Sequence, residues 1–166
     1  MNLIVAVDQG WGIGKNNDLL FHVPEDMKFF RKTTLEKVVV CGKNTLFSFP
    51  GSKPLPKRRH FILTHQNLEE SENLVVANSV EDLLCKLQDI NPDDVFVIGG
   101  ESVYRQLLEY CKKAYVTKFS AKDPEADTFF PNLDEDSRFV LVDSGEEQTS
   151  ENGIKFRFTL YENQNI

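Results

Sequence analysis

Short apolar runs recur along the chain and show little alternation with polar residues. Runs of this kind, rich in β-branched and aromatic side chains, are typical of strands that are buried on both faces of a parallel sheet. We therefore predict six such strands, at residues 3–7, 38–41, 60–64, 74–77, 95–98 and 114–117.

Helical patterns lie between several of these runs. Residues 24–34 begin with Pro24, which suits the first turn of a helix. Residues 79–88 begin with Ser79, followed three positions later by Asp82, which is a capping signal. A third pattern covers residues 101–110. Strands that alternate with helices predict an α/β fold with an open, mostly parallel sheet.

The C-terminal part of the chain has a different pattern. Residues 138–143 and 155–161 are strand-like and are joined by a polar stretch, residues 144–153, that is rich in turn formers. This pattern predicts an antiparallel hairpin at one edge of the sheet. Because the chain has 166 residues, no internal repeat and no long linker, we expect a single domain over residues 1–166.

Glycines occupy three alternate positions directly after the first predicted strand: Gly10, Gly12 and Gly14. A dinucleotide-binding fingerprint needs its glycines to lead directly into a helix, whose N-terminus then faces the phosphates. Here residues 15–18 favour turns, and Pro24 disfavours helix for the residue before it. We therefore predict a long loop at this position and not a phosphate site.

A better candidate for a phosphate site is the pair Gly99 and Gly100, which follows the predicted strand at residues 95–98 and precedes the helix that starts near Glu101. Glycines bring bare backbone close to a ligand, and the start of a helix offers unpaired N–H groups to an anion. A Gly-Gly turn is also compatible with tight packing alone.

Composition and charge exclude several classes of function. The formal net charge of −7 opposes a nucleic-acid surface, which requires a basic face. No apolar run approaches the roughly 20 residues of a membrane span, and the N-terminus has no signal-peptide pattern, so we expect a soluble, cytoplasmic protein that binds no membrane. Cys41, Cys85 and Cys111 are widely spaced and form no metal-binding pair, which predicts reduced structural thiols.

Asp26 is an acid in the first turn of the predicted helix at residues 24–34, beside the large apolar residues Met27, Phe29 and Phe30. One interpretation is that its charge favours the positive end of the helix, as Asp often does. The other is that the carboxylate binds a ligand that the preceding loop covers. The residues by themselves leave both interpretations open.

Six motifs, taken together and in order, resemble dihydrofolate reductases over about residues 3–161. They are Gly12-Ile-Gly14; Phe21-His-Val-Pro-Glu-Asp26 with Phe29-Phe30; Cys41-Gly-Lys-Asn-Thr45; Pro54-Leu-Pro-Lys-Arg58; Ile98-Gly-Gly100 with Tyr104; and Asp127-Thr-Phe-Phe-Pro131. The resemblance implies an eight-stranded, mostly parallel sheet with flanking helices and an antiparallel C-terminal hairpin. It also implies that a monomer uses NADPH to reduce 7,8-dihydrofolate to 5,6,7,8-tetrahydrofolate in one-carbon metabolism.

The resemblance assigns a role to the substrate-site residues by their positions. Asp26 accepts hydrogen bonds from the pterin 2-amino group and N3, Thr117 supports that network, and Arg58 pairs with the glutamate α-carboxylate, which suits a planar guanidinium. The implied substrate-binding residues are Ile4, Val5, Asp26, Met27, Phe30, Phe49, Leu55, Arg58, Ile98 and Thr117.

The resemblance also implies an NADPH site. Leu19 is placed at the tip of a mobile lid, so that the early glycines serve a flexible cover, and Lys43, Thr64 and His65 surround the ribose 2′-phosphate. The implied cofactor-binding residues are Ala6, Ile13, Gly14, Lys15, Leu19, Gly42, Lys43, Asn44, Thr45, Leu63, Thr64, His65, Gly99, Gly100, Glu101, Ser102, Val103 and Tyr104.

Several residues depart from the pattern of the resembled family: Phe21 with its neighbour Leu20, Lys43, and Ser102, which lacks the basic group that some members have. The resemblance implies three catalytic positions, which are occupied here by Asp26, Phe21 and Thr117. Phe21 stands where Trp is common, so the indole N–H that would hold a water in the active site is absent. Lys43 replaces the usual Arg; it keeps the positive charge but lacks the planar guanidinium that binds phosphate through two N–H groups. No histidine falls on an expected catalytic position, so we expect water to donate the proton to pterin N5, with electrostatic help from Asp26.

Two other functions compete with this interpretation. One is a related-fold reductase of the riboflavin pathway, which would not be expected to carry the motif at residues 23–26 or Arg58. The other is a non-catalytic nucleotide-binding module that has kept the fold and lost turnover.

Overall fold

Twelve strands and four α-helices make up the fold, which a computed structural model describes over the whole chain, residues 1–166. The strands are β1 (Asn2–Val7), β2 (Gly12–Lys15), β3 (Asp18–Leu19), β4 (Val38–Gly42), β5 (Arg59–Leu63), β6 (Leu74–Ala77), β7 (Val95–Gly99), β8 (Lys113–Phe119), β9 (Thr128–Phe129), β10 (Phe139–Ser144), β11 (Gln148–Thr149) and β12 (Lys155–Asn163). The helices are α1 (Pro24–Thr34), α2 (Lys43–Ser48), α3 (Val80–Leu87) and α4 (Glu101–Leu107).

The central sheet has nine strands, of which eight follow the order β10-β12-β8-β1-β7-β4-β5-β6. All pairs between β8 and β6 in this order are parallel. At the other edge β12 runs antiparallel to β8 and β10 antiparallel to β12, while the short β11 also pairs with β12. The predicted fold class, including the antiparallel C-terminal hairpin, is confirmed.

All six predicted strands are present because their side chains are buried on both faces of the sheet. Leu3, Val39, Val40 and Val97 have no exposed surface. Full burial of such a side chain contributes roughly 1.5–3 kcal/mol relative to leaving it in water. Apolar residues are therefore required at consecutive positions, and polar alternation is absent from these strands.

The helices begin where the local signals predicted. The residue before Pro24 is extended, with φ −105°, and α1 starts directly after it. The Ser79 hydroxyl accepts the backbone N–H of Asp82 at 3.0 Å, and the Asp82 carboxylate accepts the N–H of Asn78 at 3.1 Å, which completes the capping box of α3. The third predicted helix is shorter than expected, because α4 ends at Leu107 and a 3₁₀ turn continues to Tyr110.

The prediction of a long loop after the first strand is wrong for part of that segment. β2 and β3 form an antiparallel hairpin, and β2 also pairs with β9 to make a second, three-stranded sheet. Asn16 and Asn17 connect β2 to β3 with φ values of 50° and 59°. Asparagine tolerates this left-handed conformation, which a two-residue hairpin turn requires. We call residues 12–19 the lid hairpin.

The three cysteines are free, as predicted. Cys41 and Cys111 are buried, which raises the pKa of each thiol to about 12 and suits a structural role, whereas Cys85 is exposed on α3. None of the helices combines the length and the apolar character that crossing a membrane would require.

The carboxyl ends of β7, β4 and β5 meet at one edge of the sheet. Cys41 on β4 lies opposite Gly99 on β7, and Gly42 lies opposite Leu63 on β5. The segments that follow these strands are therefore neighbours, and ligands of open α/β sheets bind at such an edge.

Candidate active site

An apolar pocket lies between β1, α1, β8 and the lid hairpin, and Asp26 is its one charged lining residue. Six of the eight lining residues are hydrophobic. The pocket brings together residues that the resemblance had assigned to different roles. Its lining consists of Ala6, Gly12, Ile13, Leu19, Leu20, Phe21, Asp26 and Phe119.

The environment of Asp26 changes its acidity. Burial raises the pKa of the carboxyl group from 3.8 to about 6, and a hydrogen bond from the Thr117 hydroxyl acts in the opposite direction. Thr117 is buried on β8 directly opposite Ala6 on β1, so the sheet register fixes its position. A carboxyl group that titrates near neutral pH within an apolar pocket is a strong candidate for a functional group.

The raised pKa of Asp26 predicts how stability depends on pH. A carboxyl whose folded-state pKa lies above its unfolded value contributes stability that is present below about pH 3.8 and is lost as the pH rises through about 6. As the pH rises from 4 to 7, the free energy of unfolding of Asp26→Asn is therefore expected to increase by on the order of 2 kcal/mol relative to that of the wild type. Urea unfolding of both proteins at the two pH values measures this difference. If the free energies of unfolding of the two proteins change equally between these pH values, the raised pKa of Asp26 is contradicted.

Phe21 closes one side of the pocket by packing edge-on against Phe119, with ring centroids 5.5 Å apart and planes at 78°. The Tyr104 hydroxyl donates to the Ile4 carbonyl at 2.7 Å, and Tyr104 is buried. Burial, together with the nearby Asp26 charge, raises the pKa of Tyr104 well above its ordinary value. Tyr104 thus attaches α4 to β1, which sequence reasoning did not predict.

The apolar residues assigned to the substrate lie on three segments. Ile4 and Val5 are buried in β1, while Met27 and Phe30 are partly exposed on α1. Three further residues are half-buried: Phe49 and Ile98 pack against one cluster of core residues, and Leu55 lies in the connection that leads into β5.

Arg58 is buried, with three of its N–H groups bound to the protein. Its Nε donates to the Thr34 hydroxyl at 2.8 Å, Nη1 to the Pro56 carbonyl at 2.7 Å, and Nη2 to the Arg31 carbonyl at 3.1 Å. A guanidinium has five N–H donors, so one on each Nη remains without a partner. Burial, together with the nearby Arg31 charge, lowers the pKa of Arg58. Thr34 was missed because it lies 24 positions away on α1 and carries no local signal.

The edge formed by β7 and β4 brings backbone segments into close approach. A Cβ on Gly100 would lie 3.3 Å from Thr45 Oγ1, and one on Gly42 would lie 3.2 Å from Val103 Cγ2. Gly99 has φ 128°, a conformation that favours glycine, and its peptide bond to Gly100 is cis. The structure therefore places residues 42–45 and 99–103 together, as the resemblance implied.

Lys43 reaches the segment that follows β5. Its Nζ donates to the Gln66 side chain at 2.5 Å, and the Gln66 backbone N–H donates to the Thr64 hydroxyl at 3.1 Å. His65 is exposed beside them. The predicted trio of Lys43, Thr64 and His65 thus lies in one region, and Gln66 is a member that no sequence signal indicated.

The lid hairpin differs from its prediction in two respects. Its tip is the turn at Asn16 and Asn17, and Leu19 lies on the returning strand and lines the pocket. A Cβ on Gly12 would lie 2.9 Å from the Ala126 side chain, and one on Gly14 would lie 2.8 Å from the Asp18 carbonyl. Close packing therefore requires glycine at both positions, which is a different reason from the flexibility that we had expected.

Two side chains assigned to the cofactor have other partners in the structure. Lys15 Nζ forms ion pairs with Asp123 at 3.0 Å and Glu125 at 3.3 Å. The Glu101 carboxylate accepts the backbone N–H of Phe129 at 2.6 Å. Both contacts attach the lid sheet to neighbouring segments, so each of these two side chains has a structural contact.

Asp8 is a buried acid that sequence reasoning missed. One oxygen accepts the N–H groups of Gly10 and Gly12 at 2.8 Å each, and the other accepts the N–H of Asp123 at 2.9 Å. It therefore fixes the entry into the lid hairpin. At the other end of the hairpin, the Asn17 side chain lies 3.5 Å from the Asn44 carbonyl oxygen, at the start of α2.

Comparison with known proteins agrees with the fold and the pocket. The family model described as dihydrofolate reductase matches residues 1–163. Dihydrofolate reductase from Bacillus subtilis (strain 168) is 34% identical over 168 aligned positions, which cover 99% of this chain and 95% of that protein. Dihydrofolate reductase from Staphylococcus haemolyticus is 34% identical, and the alignment covers 98% of this chain and 95% of that protein. Dihydrofolate reductase from Drosophila melanogaster is also 34% identical, and the alignment covers 97% of this chain and 96% of that protein.

The fold and the pocket define an α/β protein with a candidate ligand site at the carboxyl edge of a parallel sheet. The chain belongs to the dihydrofolate reductase family.

Proposed function

We propose that this chain reduces 7,8-dihydrofolate to 5,6,7,8-tetrahydrofolate, and that it is an NADPH-dependent oxidoreductase of tetrahydrofolate biosynthesis. The observation that carries the proposal is Asp26, a single carboxyl group with a raised pKa in an apolar pocket, backed by the Thr117 hydroxyl. Membership of the dihydrofolate reductase family supports the same reaction.

Asp26 orients the pterin ring. A carboxylate accepts two parallel N–H bonds, here from the pterin 2-amino group and N3, and the apolar lining strengthens these bonds by excluding competing water. The Thr117 hydroxyl favours the ionised form of Asp26. The flat ring is expected to lie between β1 and the side chains of Met27 and Phe30 on α1, because pockets for flat ligands need apolar walls.

Reduction of the pterin requires a proton at N5 in addition to a hydride at C6. NADPH, when bound, supplies the hydride from nicotinamide C4. We assign proton delivery to water, and Asp26 assists electrostatically from its place in the pocket. Because burial raises the pKa of Asp26 to about 6, its charge changes near that pH, and its electrostatic help to protonation of N5 is expected to change with it.

Phe21→Trp tests how the pocket holds that water. The indole N–H supplies a donor that Phe21 lacks, and one hydrogen bond is worth about 1 kcal/mol, so we expect the rate of hydride transfer to rise about two- to fivefold. Stopped-flow measurements of the rate of hydride transfer in the wild type and Phe21→Trp across pH test this expectation. An unchanged pH profile in a folded variant would mean that the missing donor does not limit the reaction.

Arg58 is assigned to the glutamate end of the substrate. Its two unpaired N–H groups, one on each Nη, match the two oxygens of an α-carboxylate. The bonds to Thr34 and the Pro56 carbonyl hold the guanidinium in place before the substrate arrives. Between the pterin and Arg58, the aminobenzoyl group would contact Phe49, Leu55 and Ile98.

The residues at the carboxyl edge of the sheet fit a dinucleotide. Bare backbone at Gly42, Gly99 and Gly100 allows close approach of the pyrophosphate, and a Cβ at two of these positions would crowd neighbouring side chains. Lys43 uses one of its three N–H donors on Gln66, which leaves two for the ribose 2′-phosphate, with Thr64 and His65 beside it. Ala6, Ile13 and Leu19 would contact the nicotinamide.

Several broader properties belong to the same proposal. We infer that the enzyme is a cytoplasmic monomer that binds no nucleic acid. Its net charge of −7 opposes binding to phosphate backbones. Its free thiols, two of them buried, suit a reducing compartment.

A direct assay separates this proposal from its two competitors. Purified protein is mixed with NADPH and either dihydrofolate or the pyrimidine substrate of the riboflavin pathway, and the nicotinamide absorbance is followed. The proposal predicts oxidation of NADPH with dihydrofolate, inhibited by a 2,4-diaminopyrimidine antifolate, and none with the pyrimidine. Binding of NADPH without turnover of either substrate would favour the non-catalytic module.

A further inference from the structure

His60 is a fully buried histidine on β5, and the reaction proposed above does not use it. Its Nε2 accepts the backbone N–H of Leu55 at 3.1 Å. Leu55 lies between Pro54 and Pro56, and proline has no N–H. The N–H of Leu55 is therefore the single backbone donor of this tripeptide, and His60 accepts it.

The chemistry of the imidazole follows from this bond. Since Nε2 accepts a hydrogen bond, it carries no proton, and the neutral ring holds its proton on Nδ1. Nδ1 is buried and has no hydrogen-bond partner. Burial and the nearby charge of Arg58 lower the pKa of His60, and the backbone of Arg58 and Asn73 opposes this change without reversing it. The ring is therefore neutral at neutral pH.

A histidine at this position leaves one buried polar atom, Nδ1, unpaired. A buried donor without a partner is destabilising, and an apolar side chain in the same place would avoid that cost. An apolar side chain could not accept the N–H of Leu55, however. The Nε2 acceptor is thus the property that distinguishes His60 from an ordinary core residue.

The surroundings of His60 connect it to the tail end of the proposed substrate site. Its ring packs edge-on against Phe49, with centroids 6.0 Å apart and planes at 68°. Arg58 lies two residues earlier, directly before β5, and donates from Nη1 to the Pro56 carbonyl at 2.7 Å. His60 therefore holds Leu55 through its N–H, and Arg58 holds the following residue, Pro56, through its carbonyl.

We propose that His60 is a positioning residue for the aminobenzoyl-glutamate end of the substrate, because it fixes Leu55 through its backbone N–H and packs edge-on against Phe49. The inference rests on the proposed function and deepens it. It predicts that a change at His60 alters binding of the substrate tail and leaves the chemistry at the pterin ring unchanged.

Two variants and two substrates test this inference. His60→Leu removes the acceptor, whereas His60→Gln ends in an amide oxygen close to the position of Nε2. The substrates are dihydrofolate and 6-methyl-7,8-dihydropterin, which has the pterin ring without the tail. For His60→Leu we expect KM for dihydrofolate to rise about fivefold, as the loss of one hydrogen bond implies, with kcat unchanged. KM for the tail-less pterin is expected not to change, and His60→Gln should restore most of the loss.

Thr159→Val is the matched control for general destabilisation. Thr159 is buried and donates to the Val116 carbonyl at 2.6 Å, but it lies on β12, five strands from β5 in the sheet. It also loses a buried hydrogen bond, so it is expected to lower the thermal midpoint without any difference between the two substrates. Side-chain ¹⁵N NMR of the wild-type protein gives a readout that does not depend on folding of a variant, and we expect a proton on Nδ1 and none on Nε2.

The outcomes separate this inference from the function on which it rests. If the wild type reduces neither substrate, the proposed function fails and the inference fails with it. If the wild type reduces both, three results would overturn the role of His60 alone. These are equal KM changes for the two substrates in His60→Leu, no change for either, and a protonated Nε2 in the wild type.

Discussion

Asp26→Asn is expected to lower the turnover number with dihydrofolate at neutral pH by on the order of 10²-fold or more. The substitution keeps the size of the side chain but replaces one accepting oxygen with a donor and removes the charge that faces the pterin. The apolar lining of the pocket offers no second carboxylate to take over, since Asp26 is its one charged residue. Steady-state kinetics with saturating NADPH measures the effect.

The control for this variant is Asp143→Asn, which removes an exposed carboxylate from the edge strand β10. It changes the net charge equally and should leave turnover unaffected. If Asp26→Asn is folded and turns over dihydrofolate at a near-normal rate, the assignment of Asp26 as the group that orients and polarises the ring is refuted. Urea unfolding of Asp26→Asn at the assay pH shows whether the variant is folded, which separates a loss of activity from a loss of stability.

Lys43→Ala is expected to lower kcat/KM for NADPH about tenfold or more and to leave NADH almost unchanged. A charge-assisted hydrogen bond to phosphate is worth roughly 1.5–3 kcal/mol, and NADH lacks the 2′-phosphate that would receive it. The contact of Lys43 with Gln66 places the ammonium group beside Thr64, at the carboxyl ends of β4 and β5. Steady-state kinetics with both cofactors measures the preference.

The matched control for Lys43 is Lys155→Ala, which removes an exposed lysine from β12. It should change neither cofactor's efficiency, because β12 lies five strands from β5 in the sheet. Equal losses for NADPH and NADH in Lys43→Ala, or no loss for either, would show that Lys43 is only a solvated lysine at the start of α2.

Sequence patterns predicted the strands and helices whose local residue pattern matches their burial or capping in the folded structure. The parallel strands need apolar residues on both faces, so their runs stand out, and α3 is marked by a capping box that the structure contains. The lid hairpin was misread because Asn16 and Asn17, which form a tight turn between two short strands, have the composition of a loop. The local sequence pattern does not distinguish a tight turn between two short strands from a long loop.

The sequence pointed to candidate residues of the site but not to their contacts. Asp26 and Lys43 were assigned because they belong to motifs that resemble a known family, and in the structure Asp26 lines the pocket while Lys43 contacts Gln66 at the sheet edge. Partners such as Thr34 and Gln66 lie far away in sequence and become neighbours only through the sheet order. The role of His60 depends on one backbone N–H, and the residue type alone gives no indication of it.

The most direct test of the proposed reaction is to follow the transferred hydrogen itself. The purified chain is incubated with dihydrofolate and NADPH that carries deuterium at the transferable position of nicotinamide C4, and the product is examined by mass spectrometry and NMR. The account predicts tetrahydrofolate with one deuterium at C6 and none at N5, formed in equal amount to the NADP⁺ produced. Tetrahydrofolate without deuterium at C6, or oxidation of NADPH without tetrahydrofolate, would contradict it.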